Sequence, residues 1–385
     1  MRYRREKIVL HLILLLIFIS VHMQYPVFTP LAVSLGAGSM VIGLMLSTAS
    51  FANLGGNLLA GLSIDRTGPK LFIVIPLLML AISFLAHIFV QETSHLFILR
   101  VLNGFILAFL TPACMAFLSS FARNSESQSR NMALNTFMVT LAMAAAPALG
   151  GWAGEKYGAD GAYLIIAVLT GTAFCLAVLF LEQPPVLVKR NVSKQVIKGN
   201  AFNSLFYPVF LTAFAIMFAQ SILMYELPFL IVEQGISKGE AGKLTSLLGI
   251  GTMLVLAFIF LHRIRSDIRA LSGLILMAAA LGIMMFSDKM LPYYSILLFG
   301  AASGIIFPAM MTLVAEKTGD GSRGMAFAFL SAVFSTGTIT GPFIAAAVRD
   351  FISPYFTAWF VLMAVVAVQG AYMLKQAHPA PVSRT

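Results

Sequence analysis

Two charged residues stand inside long apolar segments of the chain, where a charge is costly. They are Arg100 and Glu226, and Glu226 is the only acidic residue within such a segment. On membrane-insertion scales a charge at a helix centre costs ~2.5–3.5 kcal/mol, so these residues usually face a cavity or a partner. We therefore expect Arg100 to face a cavity. The alternative is that its long side chain extends to the membrane interface.

Glu226 suits a different task, because a carboxylate held within a membrane can bind and release protons. It is the first candidate for a proton site, or for the counter-charge to a cationic group of a substrate. Tyr225 precedes it, Pro228 follows shortly after, and Gln220 lies nearly two turns earlier. The alternative is that the helix ends before Glu226 and leaves it at the outer membrane interface.

Other polar residues of the apolar segments are expected near the same cavity. His22 can carry protons near neutral pH or simply hydrogen-bond within the bundle. Asn53 and Asn57, one turn apart, are either substrate contacts or hydrogen bonds between helices. Asn103 lies on the same helix face as Arg100. The full set expected at the cavity is Arg100, Glu226, His22, Gln24, Tyr25, Asn53, Asn57, Asn103, Gln220 and Tyr225.

The sequence lacks the residue patterns of other kinds of chemistry. There is no G-x-x-x-x-G-K-[ST] loop for a nucleotide, no H-E-x-x-H zinc motif and no C-x-x-C pair. We therefore expect no catalytic site, no bound metal and no other cofactor, and ATP is not the expected energy source. A membrane enzyme is left without support.

The composition places the polar residues in a membrane. Of 385 residues, 59% are hydrophobic and 10% are charged, with a mean hydropathy of +0.91. A soluble domain carries about 25% charged residues. One helical crossing needs roughly 20 apolar residues. The apolar stretches predict twelve transmembrane helices, the first at 8–30 and the seventh at 205–232, which excludes a soluble enzyme and a disordered protein.

The formal net charge of +10 comes mostly from short loops between the apolar stretches. With twelve crossings, most of the 25 Lys and Arg residues fall on the face that holds both termini, and basic loops stay in the cytoplasm. We expect a multi-pass protein of the cell membrane with both termini cytoplasmic. No basic face suits a nucleic acid, so the expected partners are lipid and a small-molecule substrate. A signal peptide is the alternative for the first segment.

A short pattern of small residues and proline occurs twice and indicates two related halves. The expected division is an N-terminal six-helix half at 1–181, a cytoplasmic linker at 182–204 and a C-terminal six-helix half at 205–385. Duplicated halves with a substrate site between them are typical of secondary transporters. The pattern consists of Ala142, Ala146, Pro147, Gly150 and Gly151 in the first copy, and of Gly337, Gly341, Pro342, Ala345 and Ala346 in the second.

The segment between the second and third predicted helices suits a tight cytoplasmic turn. Glycine tolerates turn conformations, and an acid at a helix end can bind a neighbouring helix N-terminus. The segment resembles the signature loop of the major facilitator superfamily through Gly61, Asp65, Arg66, Gly68 and Lys70. The resemblance implies that Asp65 and Arg66 form a latch with the start of the eleventh helix and help to hold the cytoplasmic side closed.

Two further elements resemble the same superfamily. Arg100, Asn103 and Gly104 match its R-x-x-[QN]-G element, whose arginine serves substrate binding or proton coupling. The first copy of the repeat is similar to the G-x-x-x-G-P-x-x-G-G element of antiporters, with Ala142 and Ala146 in place of the first two glycines. This similarity implies close packing of the halves at the outer end and export by proton antiport.

The resemblance covers the whole chain and is greatest to the drug:proton antiporter-like exporters of the superfamily. It implies an all-α membrane protein with twelve transmembrane helices in two pseudo-symmetric halves, active as a monomer. The expected function is proton-coupled, multidrug-like export of small organic molecules by alternating access, driven by the proton gradient. The alternatives are export of a zwitterionic metabolite such as an opine-type metallophore, proton-coupled import, and a receptor or structural protein without transport.

Overall fold

The computed structural model describes residues 2–121, 125–182, 209–257, 263–285, 291–318 and 323–377. These residues form helices, as expected in a bilayer, where no water satisfies the backbone N–H and C=O groups. A short 3-10 turn, His87–Phe89, follows the fourth helix. The helices are α1 Arg2–Met23, α2 Tyr25–Ser34, α3 Ser39–Thr67, α4 Leu71–Ala86, α5 Thr93–Ser120, α6 Ser125–Phe180, α7 Leu211–Glu226, α8 Phe229–Gln234, α9 Lys238–Leu256, α10 Ser266–Met285, α11 Leu291–Lys317, α12 Arg323–Val348 and α13 Pro354–Ala377.

Ten helical spans of the described residues are long and apolar enough to cross a membrane. One of them, Arg130–Phe180, has 51 residues, more than twice the roughly 20 that one crossing needs. Gly158 interrupts it with φ 73° and ψ −177°, so α6 consists of two helical segments. α9 is not among the ten spans, and the charges of Lys238, Glu240 and Lys243 in its first two turns lower its hydropathy.

Two helices predicted to be continuous are interrupted near a proline. The first predicted helix, 8–30, divides at Gln24 into α1 and α2, and Pro26 follows two residues later. Within the predicted seventh helix, 205–232, the chain divides at Pro228 between α7 and α8. Proline lacks the N–H that would bond to the carbonyl four residues earlier, and its ring displaces that carbonyl. The apolar pattern predicted each span but not its interruption.

Two segments predicted to be loops are largely helical. In the signature segment, α3 continues through Thr67, and Gly68 with φ 86° ends it. Gly61, which was expected in the tight turn, is an ordinary helical residue, so Gly68 alone makes the turn. Between the fifth and sixth predicted helices, residues 152–160 are helical except at Gly158.

The helices form an N-terminal set, α1–α6, and a C-terminal set, α7–α13, each with its own core. One core consists of buried residues from Leu10 to Leu181. The other lies mainly between Val209 and Val365, with a few side chains from α2, α3 and α5. In the N-terminal set α6 packs on α1 and α4, and α3 packs on α5. In the C-terminal set α12 packs on α7, and α11 on α9 and α10, while the pairs α3–α12 and α6–α9 join the sets.

Both ends of the described chain lie at one end of the bundle, called here the terminal end. The Arg5 guanidinium of α1 lies 4.5 Å from the ring centre of Phe180 at the end of α6. Lys317 at the end of α11 lies 5.6 Å from the ring centre of Tyr372 in α13. The opposite end, called the far end, holds the turn between α2 and α3, Gly158 and the start of α9.

We expect Gly300→Ala to destabilise the protein, whereas Gly370→Ala does not. A β-carbon at Gly300 in α11 would collide with the Leu248 carbonyl oxygen in α9, while one at Gly370 in α13 meets nothing within 4 Å. Forcing extra atoms into a packed contact costs ~1–3 kcal/mol, whereas alanine in an open helix position is neutral or favourable by up to ~1 kcal/mol. Melting temperatures in detergent measure the difference, and equal melting of the two variants would contradict the packing.

Candidate functional site

A central cavity lies between the N-terminal and the C-terminal set of helices. Its volume is about 400 Å³, within the ~300–1,000 Å³ of typical small-molecule sites. Residues of α1, α2, α3 and α5 line one side, and residues of α7 and α12 line the other. Both helix interruptions reach its wall, through Gln24 and Pro228. Six of the predicted polar residues meet here: Gln24, Tyr25, Asn53, Arg100, Asn103 and Gln220.

Arg100 projects from α5 towards the interruption between α1 and α2. Its Nη1 donates a hydrogen bond to Oε1 of Gln24 over 2.6 Å, and its guanidinium lies 4.0 Å from the ring centre of Phe28. Nε2 of Gln24 donates in turn to the Ser20 carbonyl over 3.2 Å, which fixes the orientation of the amide. Arg100 is therefore held at the cavity wall and does not extend to the membrane interface.

The described cavity wall carries a positive charge without a negative one. Arg100 is the charged residue among the described residues that line it, and no Asp or Glu is among them. Such a charge acts strongly in a site of low dielectric constant. In the described parts of the chain, no three His, Cys, Asp or Glu side chains gather in a way that could hold a metal ion.

Two amide side chains of the wall have buried atoms without a hydrogen-bond partner among the described residues. These atoms are Oδ1 and Nδ2 of Asn103 and Oε1 of Gln220. Asn53 differs, because its Nδ2 donates to the Gly104 carbonyl over 3.0 Å and its Oδ1 accepts from Nδ2 of Asn57 over 2.9 Å. Asn53 and Asn57 thus link α3 to α5, which was one of their two expected roles.

The two histidines near the cavity lie behind its wall. Nδ1 of His22 hydrogen-bonds to the Phe18 carbonyl over 2.7 Å, and its ring meets the edge of Tyr25, a wall residue, with centroids 5.6 Å apart. His87, which the sequence patterns did not single out, stacks on Tyr163 with centroids 4.3 Å apart. Both His87 and Tyr163 interact electrostatically with Arg100.

Glu226 does not lie in the cavity, so its expected position there is wrong. α7 ends at Glu226, two residues before Pro228, and the carboxylate turns towards the far end. Its Oε1 and Oε2 accept hydrogen bonds from Nε and Nη2 of Arg349 over 3.0 and 3.1 Å. α7 does end at Glu226, as in the alternative prediction, but the apolar span continues through α8 to Gln234. The expected place of Glu226 at the outer membrane interface remains a prediction.

The helical repeat explains which residues of α7 reach the cavity. Gln220 and Met224 are one turn apart and line it, whereas the next two residues, Tyr225 and Glu226, point elsewhere because each residue turns the helix by about 100°. The Tyr225 hydroxyl donates to the Ser39 carbonyl over 3.0 Å and so ties α7 to the start of α3. Tyr225 is therefore a contact between the helix sets and not a wall residue.

Arg349 binds two acidic residues at the far end of the C-terminal set. It hydrogen-bonds to Glu233 in α8 as well as to Glu226, and its guanidinium lies 4.1 Å from the ring centre of Phe229. Burial lowers the pKa of Arg349, but its bonds to Glu233 and Glu226 outweigh that effect and raise the pKa. The arginine stays charged, and Glu226 has a permanent counter-charge outside the cavity.

The first copy of the repeat lies where α6 meets α9 and α1. A β-carbon at Gly151 would collide with the Lys238 carbonyl oxygen, and one at Gly242 with the Pro147 carbonyl oxygen. Small residues thus allow α6 and α9 to touch backbone to backbone. Gly150 faces the Met23 carbonyl in the same way, and two alanines of the pattern are buried, Ala142 and Ala146.

The second copy of the repeat packs α12 against α7 and α3. Gly337 and Gly341 lie against the backbone of α7, and the Ser221 hydroxyl donates to the Phe218 carbonyl over 2.9 Å in that contact. Pro342 presents its carbonyl to Gly43 of α3, where no side chain would fit. The two copies therefore occupy corresponding places at the joins between the helix sets.

The signature segment lies at the terminal end, as its position in the chain predicts. Arg66 is exposed, Gly68 ends α3 and Lys70 follows the turn. The side chain of Asp65 lies outside the described residues. The latch between Asp65 and the start of the eleventh helix therefore remains a prediction.

Sequence patterns did not single out Glu155, which joins the two sets at the far end. Its Oε2 accepts hydrogen bonds from the backbone N–H of Gly239 over 3.0 Å and from the Ser237 hydroxyl over 3.1 Å. Ser237 also caps α9 by accepting from the Glu240 N–H over 3.1 Å. The serine and the glutamate three residues later form a helix-start pattern that the sequence does contain, but nothing local pairs it with a residue 84 positions away.

Comparison with known proteins gives one family and one fold. The Major Facilitator Superfamily model matches residues 10–320. The human organic anion transporter MFSD10 (TETRAN) is similar with a TM-score of 0.70 and 16% identity, over 96% of this chain and 100% of that one. A bacterial homologue of the human lysosomal transporter Spinster, inward-facing and unoccupied, is similar with a TM-score of 0.73 and 17% identity, over 98% and 96%. A mutant of the nucleoside transporter NupG is similar with a TM-score of 0.74 and 16% identity, over 96% of this chain and 99% of that one. Comparison with curated proteins finds no match.

We expect Glu226→Gln to destabilise the protein while leaving ligand binding in the cavity unchanged. The substitution removes one of two carboxylates from Arg349, so the loss should be about 1–3 kcal/mol, less than the ~3–5 kcal/mol of a fully broken buried pair. Melting temperature in detergent measures it, and the double variant Glu226→Gln/Arg349→Gln should lose less than the sum of the singles. Strictly additive losses would contradict a direct pair.

Proposed function

Because the chain belongs to the Major Facilitator Superfamily, we propose that it carries small organic molecules through the central cavity by alternating access. The family match and the transporter neighbours identify a multi-pass membrane transporter and not an enzyme. The observation that carries the proposal is the place of the cavity, which has walls from both sets of helices. A rocking motion of one set against the other would expose it to either end in turn.

The far end supports this mechanism, because several contacts of the described residues join the two sets there. α6 touches α9 and α3 touches α12 through their glycines. Glu155 reaches the N-terminus of α9, where a carboxylate is favoured by the helix dipole. Tyr225 holds the start of α3. These contacts close the far side of the cavity and must separate when the cavity opens there.

We further propose twelve crossings in two six-helix halves, at 1–181 and 205–385, joined by a cytoplasmic linker. The proposal counts the two segments of α6 as two crossings and adds the less apolar α9 to the ten long spans. Both ends of the described chain lie at the terminal end, as an even number requires. The excess of Lys and Arg on that face assigns it to the cytoplasm of a cell membrane. The unit that transports is a monomer.

The direction we propose is export coupled to protons. Its support is the antiporter-like segment, whose small residues and Pro147 join α6 to α9 at the far end. Since Glu226 lies outside the cavity, the candidate proton carriers are now His22, behind Tyr25, and His87, which stacks on Tyr163. Proton-coupled import is the alternative, and the direction of flux decides between them.

For the cargo, we propose a multidrug-like range of organic molecules. Phe28, Leu46, Met217 and Met224 give the cavity a large and adaptable apolar surface. The alternative is a zwitterionic metabolite such as an opine-type metallophore. The separation of Glu226 from Arg100 weakens that alternative, because the cavity then offers no negative group for the positive end of a zwitterion.

Transport into inverted membrane vesicles tests the proposal. The vesicles are acidified inside, and a pH-sensitive dye reports proton release as lipophilic cations, neutral drugs or amino-carboxylate chelators are added. An exporter should take up at least one class with proton release. Arg100→Ala should reduce the uptake at least tenfold, because it removes the one charge of the described cavity wall.

Arg265→Gln is the matched control for this experiment. Arg265 is an arginine whose side chain is 74% exposed and pairs with Asp267, away from the cavity. Its substitution should leave uptake unchanged. Loss of preloaded compound from the same vesicles together with protons would indicate import, and Arg100→Ala vesicles with full uptake would contradict transport through this cavity.

A further inference from the structure

Among the described residues of the cavity wall, the guanidinium of Arg100 is a charge without a counter-charge. Its neighbours are the neutral amide oxygen of Gln24 and the ring of Phe28. No carboxylate of the described residues lies within 4.0 Å of it. A charge removed from water is stabilised poorly by neutral groups alone. The cavity therefore lacks one negative charge.

The acids that could supply this charge are engaged at the far end. Glu226 receives two hydrogen bonds from Arg349. Glu155 is bound to the start of α9, and Glu92 accepts from the Ser94 hydroxyl over 3.0 Å. With those acids engaged, the missing negative charge has to come with the cargo.

Unpartnered amides stand on both sides of the space in front of Arg100. Asn103, one turn after Arg100, has a free Nδ2 that can donate to an anionic oxygen, and Asn103 is 2% exposed. Gln220 lines the cavity from α7, but its unpartnered Oε1 accepts hydrogen bonds and so does not bind an anionic oxygen. The unpartnered Nδ2 of Asn103 is costly unless a ligand accepts a hydrogen bond from it. Asn103 therefore marks the place of the anionic group, beside Arg100.

The rest of the wall favours an apolar body of moderate size. Phe28, Leu107, Met217 and Met224 lie around the polar groups. Methionine side chains adapt to different shapes, and a cavity of about 400 Å³ accepts a molecule of two or three rings. An inorganic anion would leave this surface uncovered.

We infer that the cargo of the central cavity is an organic monoanion. Its carboxylate or sulfonate lies against Arg100 and Nδ2 of Asn103, and its apolar body lies among Phe28, Met217 and Met224. A single guanidinium balances a single negative charge, which sets the charge of the ligand. The inference rests on the proposed function only for the idea that the bound molecule is carried, since binding to the cavity is a separate property.

Calorimetry of the purified full-length protein in a non-ionic detergent tests the inference with three ligands of similar shape. They are 2-naphthoate, the neutral 2-naphthamide and the cation 2-naphthylmethylammonium. We expect naphthoate to bind at least tenfold more tightly than the other two. Equal affinities, or tighter binding of the cation, would overturn the inference. Acetate carries the negative charge without an apolar body. Acetate binding as tightly as naphthoate would overturn the role of the apolar wall.

Variants of the arginine separate charge from fold. Arg100→Gln should weaken naphthoate binding at least tenfold and naphthamide binding less than threefold, so retained amide binding also shows that the variant is folded. Arg100→Lys should keep the preference for the anion, since it keeps the charge. Arg265→Gln should behave as the wild type. An Arg100→Gln protein that still prefers naphthoate tenfold would contradict the assignment.

Flux in proteoliposomes distinguishes failure of the inference from failure of transport. Flux of naphthoate that Arg100→Gln abolishes supports both. Naphthoate binding without flux of any compound would overturn transport and leave the anion site intact. Flux confined to cationic compounds would leave transport intact and overturn the inference.

Discussion

Helices in a lipid bilayer are not drawn together by the hydrophobic effect, so close backbone packing and hydrogen bonds must join the two sets of this bundle. The contact between α6 and α9 meets that requirement with Gly151 and Gly242, each of which lies against a carbonyl oxygen of the other helix. Gly43 and Pro342 make a similar contact between α3 and α12. Such contacts either fit or separate, which suits a protein with two discrete states.

The charged residues of the far end and of the cavity differ in whether they have partners of opposite charge. At the far end Glu226, Glu233 and Arg349 compensate one another, and Glu155 is satisfied by the start of α9. In the cavity Arg100 has neutral neighbours. Glu226 and Glu155 at the far end thus have partners within the protein, whereas Arg100 has no carboxylate partner among the described residues. This contrast gives a physical reason for a substrate to bind in the cavity and not at the far end.

The sequence predicted what depends on local patterns. Apolar length predicted the spans, and glycine spacing predicted the close contacts of α6 and α12. Arg100 and Gln24 were both expected at one cavity because polar groups inside a membrane usually face a cavity or a partner. They form a hydrogen bond although they are 76 positions apart in the sequence. Six of the ten polar residues expected at the cavity line it, whereas His22, Asn57, Tyr225 and Glu226 do not.

Pairings between distant residues were not predictable from local patterns. Glu226 was expected in the cavity because its partner, Arg349, is 123 positions away and no local pattern joins the two. Glu155 drew no attention because its partners lie on another helix. The break at Gln24 also escaped prediction, since apolar periodicity continues through it. The break near Pro228 was expected only in the alternative in which the helix ends early. In each case tertiary contacts, and not local sequence, decide the side chain's place.

The most direct test of the account is to lock the far end. Glu155 and Ser237 touch across the two sets through a hydrogen bond of 3.1 Å. In a protein with Cys114→Ala and Cys175→Ala, the pair Glu155→Cys and Ser237→Cys can be joined by a short bifunctional methanethiosulfonate. Alternating access predicts that joining abolishes flux, that reduction restores it, and that ligand binding persists throughout. Full flux through the joined protein would contradict the account.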